Sequence, residues 1–149
     1  MISLILDNIR SLYNVGSAFR TADGLGVEKL YLCGYTGCPP REEISKTALG
    51  AEEVVPFEKV ENILPLIKKL KEDGYTVVSL EKNNSSINII DYRWPKNVAL
   101  VVGNEIVGIS EEVLKASDCV VHIPMIGIKE SFNVASALAI AIYDVVSKT

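Results

Sequence analysis

Two segments, "YTVVSL" (75–80) and "VALVVG" (98–103), constrain this chain more than anything else in it. A strand with one wet face alternates apolar and polar residues. A strand that is apolar throughout has both faces covered, the usual state inside a parallel sheet clothed by helices. The rest of the sequence supplies those helices. "SLILDNI" (3–9) reads as a short buried strand and "KLYLCG" (29–34) as a second, with a helix over 14–25 between them. "GYTGCPPRE" is a loop that its proline pair keeps irregular. "ISKTALGAEE" predicts a short helix stopping at Gly50, and "EEVVPFE" is a marginal strand candidate.

Farther on, Ile63, Leu64, Ile67 and Leu70 form a helical stripe within 60–73, with Pro65 tolerated in its first turn and Gly74 at its end. "SEEVLKAS" predicts a helix capped by Ser110, "CVVHIP" a strand, and 131–147 a long closing helix. Strand and helix alternate from end to end. The expected fold is α/β, a parallel sheet with flanking helices, in one domain over residues 1–149 without linker or repeat.

Composition narrows the function by exclusion. Nearly half the residues are apolar, so the chain folds, yet no apolar run is long enough to span a bilayer. The opening "MISLILDNIR" lacks the pattern of a secretory signal, so a soluble cytoplasmic domain is expected. Cys33, Cys38 and Cys119 include no CxxC pair, and His122 is the only histidine, so no metal site is expected and the thiols read as buried and free. The net charge of −4 does not advertise a nucleic-acid binder. The glycine clusters fit neither the dinucleotide fingerprint nor the P-loop.

Ligands of open parallel sheets gather at the carboxyl ends of the strands. Three segments leave or follow strand ends with unusual residues: "NVGSAFR", "VVGNEIVGIS" and "HIPMIGIKESFNVASALA". In the first, the helix is expected to start on Asn14, Val15 and Gly16, with small residues around Arg20. Taken alone, Arg20 reads as a surface side chain paired with Asp23 at i+3. Gly103 either lets a ligand meet bare backbone or merely turns the chain out of the sheet. Glu105, by position alone, reads as a solvated carboxylate. Ser131 reads as the cap of the last helix, which leaves Asn133 in the first turn without an evident purpose. His122 reads as a core histidine rather than a base. The alanine-rich last helix reads as packed on the sheet, although its small residues would also admit a second copy of the chain.

Together and in this order, the three segments resemble the motifs of the SpoU-type (TrmH) RNA ribose methyltransferases of the SPOUT superfamily. The matching residues are Asn14-x-Gly16-x-x-x-Arg20, then Val102-Gly103-Asn104-Glu105 with Gly108, then Ile123-Pro124-Met125-x-Gly127 followed by Ser131-Phe132-Asn133-Val134. "SKTALGAE" (45–52) is similar to the stretch between the first two motifs. The family commonly carries leucine at the position of Phe132, and the added RNA-binding segments of longer members are not expected within residues 1–149.

The resemblance implies S-adenosylmethionine as cofactor and a ribose 2′-hydroxyl of tRNA or rRNA as methyl acceptor; with no extra domain expected, a compact target such as a tRNA loop is favoured over rRNA. It also implies a homodimer and a C-terminal trefoil knot. Cofactor contacts carried over are backbone from Leu80, Gly103, Ile123 and Met125, with Ser131 and Phe132 alongside. Arg20 would be the reaction's cation or base, held by Asn14 and by Glu105 of its own or the partner chain. Ser131 and Asn133 would fix the loop around cofactor and substrate. Small residues around Arg20 would then let a ribose approach.

Two rivals stand beside this reading. A doubly wound regulator of the receiver type needs an acidic cluster after its first strands, and Asp7 has no companion there. A SpoU-like fold that binds RNA without catalysis would keep the same motifs.

Overall fold

The computed structural model describes residues 1–149. Its centre is a seven-stranded sheet in which every pairing is parallel. The strands are β1 (Ile2–Asp7), β2 (Lys29–Cys33), β3 (Phe57–Val60), β4 (Thr76–Leu80), β5 (Ile87–Asn88), β6 (Val98–Val102) and β7 (Cys119–His122). Their spatial order is β3-β2-β1-β6-β4-β7-β5. β1 therefore lies between β2 and β6, and β7 enters between β4 and β5, which are already in place when it is reached along the chain.

Helices cover both faces, as the uninterrupted apolar strands require. They are α1 (Leu12–Leu25), α2 (Glu42–Ala48), α3 (Ile63–Glu72), α4 (Glu111–Ala116) and α5 (Val134–Lys148). Alternate residues along each strand point to opposite faces. Leu4, Leu6, Leu100 and Val102 join Phe19 of α1, Ile44 of α2 and Leu138 and Ile142 of α5 in one core. Ile5, Val77, Ala99 and Val101 join Leu66, Ile67 and Leu70 of α3 and Val113 of α4 in the other. All five residues of β6 are buried. No helix is long and apolar enough to cross a membrane.

Several local expectations need correction. α1 begins at Leu12, a few residues before the expected Asn14, because Ser11 takes the cap and its hydroxyl accepts the Asn14 N–H at 3.2 Å. α2 stops at Ala48, and Leu49 and Gly50 both take positive φ before a 3-10 turn over Ala51–Glu53. β3 keeps only the end of the expected segment, starting at Phe57 after Pro56 and running on to Val60. β5 was not anticipated: two residues in a polar stretch are recruited by pairing with β7. α5 starts at Val134, and its cap is Asn133, whose Oδ1 accepts the N–H groups of Ala135 at 2.9 Å and Ser136 at 3.2 Å. Asn133 thus holds the role expected of Ser131. Cys33 is buried, but Cys38 and Cys119 are only partly so.

The small residues of α1 also have a different cause from the one expected. A Cβ placed on Gly16 would overlap Thr47 Oγ1 and the Ile44 carbonyl of α2. Ala18 and Ala22 are wholly buried in the core that α1 shares with α2 and α5. Gly16 is small so that two helices can touch, not so that a substrate can enter.

Candidate active site

The carboxyl ends of β4, β6 and β7 open into a cleft of about 380 Å³, within the range of small-ligand sites. Three loops wall it. The first follows β4 and brings Leu80, Glu81 and Lys82; the second is 103–109; the third runs from His122 into α5. Leu80, Gly103, Ile123, Met125, Ser131 and Phe132 all line this cleft, and Glu105 lies on its rim. Asn133 does not line it; it is the exposed cap of α5, whose first residue, Val134, does.

The 103–109 loop is held on every side. Asn104 Oδ1 accepts the N–H groups of Ile106 (2.8 Å) and Val107 (3.0 Å), closing a turn, while its Nδ2 donates to the Asn8 carbonyl (3.0 Å) and Tyr35 hydroxyl (2.7 Å). Glu81 Oε2 accepts the Ile109 N–H at 2.9 Å. A Cβ on Gly103 would lie 2.8 Å from Gly108 C and Ile109 N. Neither reading of Gly103 anticipated this: it is a glycine because the two ends of its own loop touch.

Glu105 is the most heavily bonded carboxylate here. It accepts the Arg10 N–H (2.8 Å), the Ser11 N–H (2.8 Å) and the Asn14 side-chain amide (3.0 Å). These donors lie at and just before the N-terminus of α1, where free N–H groups and the helix dipole favour an anion. Partial burial pushes the Glu105 carboxyl up, but the three hydrogen bonds outweigh it and hold the group below its ordinary 4.5. It is not the merely solvated carboxylate its position suggested.

Arg20 and Asn14 do not line the cleft. Arg20 is exposed on α1, two turns from Glu105 along the helix, and forms no ion pair with Asp23. Asn14 and Glu105 bond each other, and within one chain neither bonds Arg20. His122 is half-buried and lines the cleft, its Nδ1 2.8 Å from Ser86 Oγ, so it is satisfied but is not a core residue. Glu81, Lys82 and Glu130 were missed as cleft residues. A charged side chain just after a strand reads as surface, and only the Glu81 bond to Ile109 distinguishes it.

The cleft offers chemistry suited to a cofactor that is apolar at one end and charged at the other. Leu80, Ile123 and Val134 supply apolar wall, the turns at strand ends supply backbone polar groups, and Glu81, Glu105 and Glu130 supply negative charge that suits a sulfonium or ammonium.

A fold of this topology with a cleft across β4, β6 and β7 defines a class. The sequence profile of the SpoU rRNA Methylase family matches residues 1–143, and this chain belongs to that family. It is 34% identical over 148 residues to a protein of Staphylococcus aureus (strain COL) assigned to the TrmH family of tRNA/rRNA methyltransferases, covering 97% of this chain and 58% of that one. It is 32% identical over 139 residues to the tRNA (guanosine(18)-2′-O)-methyltransferase of Aquifex aeolicus (strain VF5), covering 93% of this chain and 65% of that one. The chain thus spans somewhat over half the length of these relatives. Among solved structures, the AdoMet-bound rRNA methyltransferase from Sinorhizobium meliloti superposes with a TM-score of 0.90 at 26% identity, covering 97% of this chain and 55% of that one.

Proposed function

We propose that this chain transfers a methyl group from S-adenosylmethionine to a ribose 2′-hydroxyl of RNA, tRNA in preference to rRNA. It does so in the cytoplasm, as a homodimer whose protomers each form one catalytic domain over residues 1–149. The observation that carries the proposal is the convergence of Leu80, Gly103, Ile123, Met125, Ser131 and Phe132 on one cleft at the carboxyl edge of the sheet. The strand order supports a trefoil knot, because β7 enters between strands laid down earlier and the chain then returns past the cleft loops to pack α5 against α1.

The cofactor would rest on backbone from Leu80, Gly103, Ile123 and Met125, with Ser131 and Phe132 closing over it. When bound, it supplies an electrophilic methyl group, so the protein's tasks are alignment and handling of the hydroxyl proton. Alignment of two bound reactants is worth up to about 7–11 kcal/mol. The fixed positive charge of Arg20 stabilises the alkoxide that forms as the proton leaves to water or RNA phosphate. Glu105 and Asn14 act on Arg20 through the helix, by fixing the start of α1 against the 103–109 loop. Asn133 fixes the start of α5 beneath Ser131 and Phe132. Arg20 stands apart from its own cleft, which supports a site completed by a second protomer.

The test is calorimetric titration with S-adenosylmethionine and S-adenosylhomocysteine, followed by labelled methyl transfer to total tRNA and rRNA and nuclease digestion of the product. Micromolar binding and label recovered in 2′-O-methylated nucleosides are expected, with more label in tRNA. No binding of either compound to folded protein, or label found only on bases, would sink the proposal.

A further inference from the structure

The 103–109 loop has a second side. There the carboxyl ends of β1, β2 and β3 enclose another cleft, of about 590 Å³, lined by Asp7, Tyr35, Glu61, Leu64, Val107 and Glu112 among others. Asp7 ends β1 on the α3 face of the sheet and is only 8% exposed. Its carboxylate takes part in none of the chain's side-chain hydrogen bonds or ion pairs. Lys59, two strands away on β3, forms no ion pair with it and donates its Nζ to the carbonyls of Gly34 (2.6 Å) and Thr36 (2.5 Å). Most of Asp7 is buried, yet its carboxylate oxygens stay open to the cleft and are bonded to nothing in the chain. Burial holds the Asp7 carboxyl above its ordinary 3.8, so this side chain lowers stability at neutral pH. A carboxylate that burial disfavours, that no side chain or backbone donor of the chain engages, and that opens on a cleft is available to accept from a ligand's donors.

The other walls say which kind. Asp7, Glu61 and Glu112 repel phosphate, and no three metal-binding side chains converge to hold an ion. Tyr35 is exposed at the rim, its hydroxyl fixed by Asn104, and Leu64 and Val107 add apolar surface. Those features fit a flat ring better than the point charge of an ammonium. Asn104, Val107 and Gly108 line both clefts, so whatever binds here lies one loop's thickness from the first cleft.

We propose that this second cleft receives a nucleobase of the RNA substrate, and that Asp7 reads from it an edge with two adjacent N–H donors. Of the four bases guanine alone presents that edge, N1–H beside the 2-amino group, and one carboxylate can accept both. Reading unstacked bases on their edges, with an aromatic side chain beside the ring, is how single-stranded RNA is commonly recognised. Glu61 and Glu112 keep the phosphates outside while the base enters. The inference rests on the RNA reading above.

The experiment is a titration of the full chain with guanosine, inosine, adenosine and cytidine, followed through the carboxyl carbon of Asp7 by NMR and by calorimetry. Guanosine is expected to shift the Asp7 signal and lower its titration point. Inosine, which lacks the 2-amino group, should bind about tenfold more weakly, the scale of one hydrogen bond to a charged group. Asp7→Asn should lose guanosine binding, keep S-adenosylmethionine affinity within about twofold, and be no less stable than the parent. Equal response to all four nucleosides, no response at Asp7, or a response only to spermidine or a lysine-rich peptide would overturn the inference. The nucleoside ranking on the unmodified chain decides the matter even if the variant misfolds. Failure to bind S-adenosylmethionine would count against the methyltransferase reading; intact methyl transfer with no guanosine effect would count against this inference alone.

Discussion

At the scale of single residues, Arg20 and Glu105 make opposite demands. Arg20 has no structural partner, so its removal costs little stability. Arg20→Ala should leave the unfolding midpoint and cofactor affinity nearly unchanged while lowering kcat by about 10²–10³, the usual loss for one transition-state donor. A variant with near-normal turnover would remove Arg20 from the chemistry. Glu105 has three donors and does hold structure. Its carboxyl is depressed below 4.5 in the folded chain and returns to the ordinary range, ~4.3, on unfolding. The stability it contributes is therefore fully present above that ordinary value and is lost as pH falls through the depressed one. Glu105→Gln should be less stable than the parent at neutral pH by about 1–2 kcal/mol, with the gap closing in acid. Urea unfolding at a series of pH values measures this directly, and a gap independent of pH would show that the charge is irrelevant.

At the scale of elements, two substitutions separate packing from the site. Gly16→Ala should push α1 from α2 and cost about 1–3 kcal/mol, without altering cofactor affinity, since neither helix lines the first cleft. Asn133→Ala removes the cap of α5, a loss of about 1 kcal/mol, and should also weaken S-adenosylmethionine binding because Val134 and Ala137 in the first turns of α5 line the cleft. Denaturant unfolding beside calorimetry distinguishes the two outcomes. What the sequence reveals at this scale follows from period and length. β4 and β6 are apolar throughout and α3 carries a clean stripe, so their class is plain and their ends fall within a residue or so, apart from the α3 start. β5 is invisible because two residues have no period; only its partner β7 makes it a strand. Gly16, Gly103 and Asn133 were noticed but given wrong or incomplete reasons, because their neighbours lie across turns that no local pattern encodes. Arg20, Asn14 and the cleft residues were reached through motif order, whereas Glu81 and His122 entered the site only once the loops were placed in space.

At the scale of the whole molecule, the outer face of α5 bears on how the site is completed. Ile140, Tyr143 and Val146 are 41%, 63% and 41% exposed along one side of a helix whose other side is buried. A stripe of that kind on a terminal helix is a natural seat for a second protomer, and isologous pairing of α5 would cover it twice. The same arrangement would bring α1 of one protomer toward the cleft of the other, because α1 packs directly beside α5. Tyr143→Glu, placed at the middle of the stripe, should therefore shift the sedimentation coefficient from dimer to monomer. If Arg20 serves the partner's cleft, that monomer should lose methyl transfer, and turnover should return when an inactive Arg20→Ala chain with an intact interface is mixed with a second inactive chain carrying Arg20 but damaged in its own cleft, such as one with Gly103→Val. Such mixing succeeds only when Arg20 and cofactor come from different protomers. Restored activity establishes the shared site; two silent chains that form mixed dimers and remain silent would show that each protomer works alone.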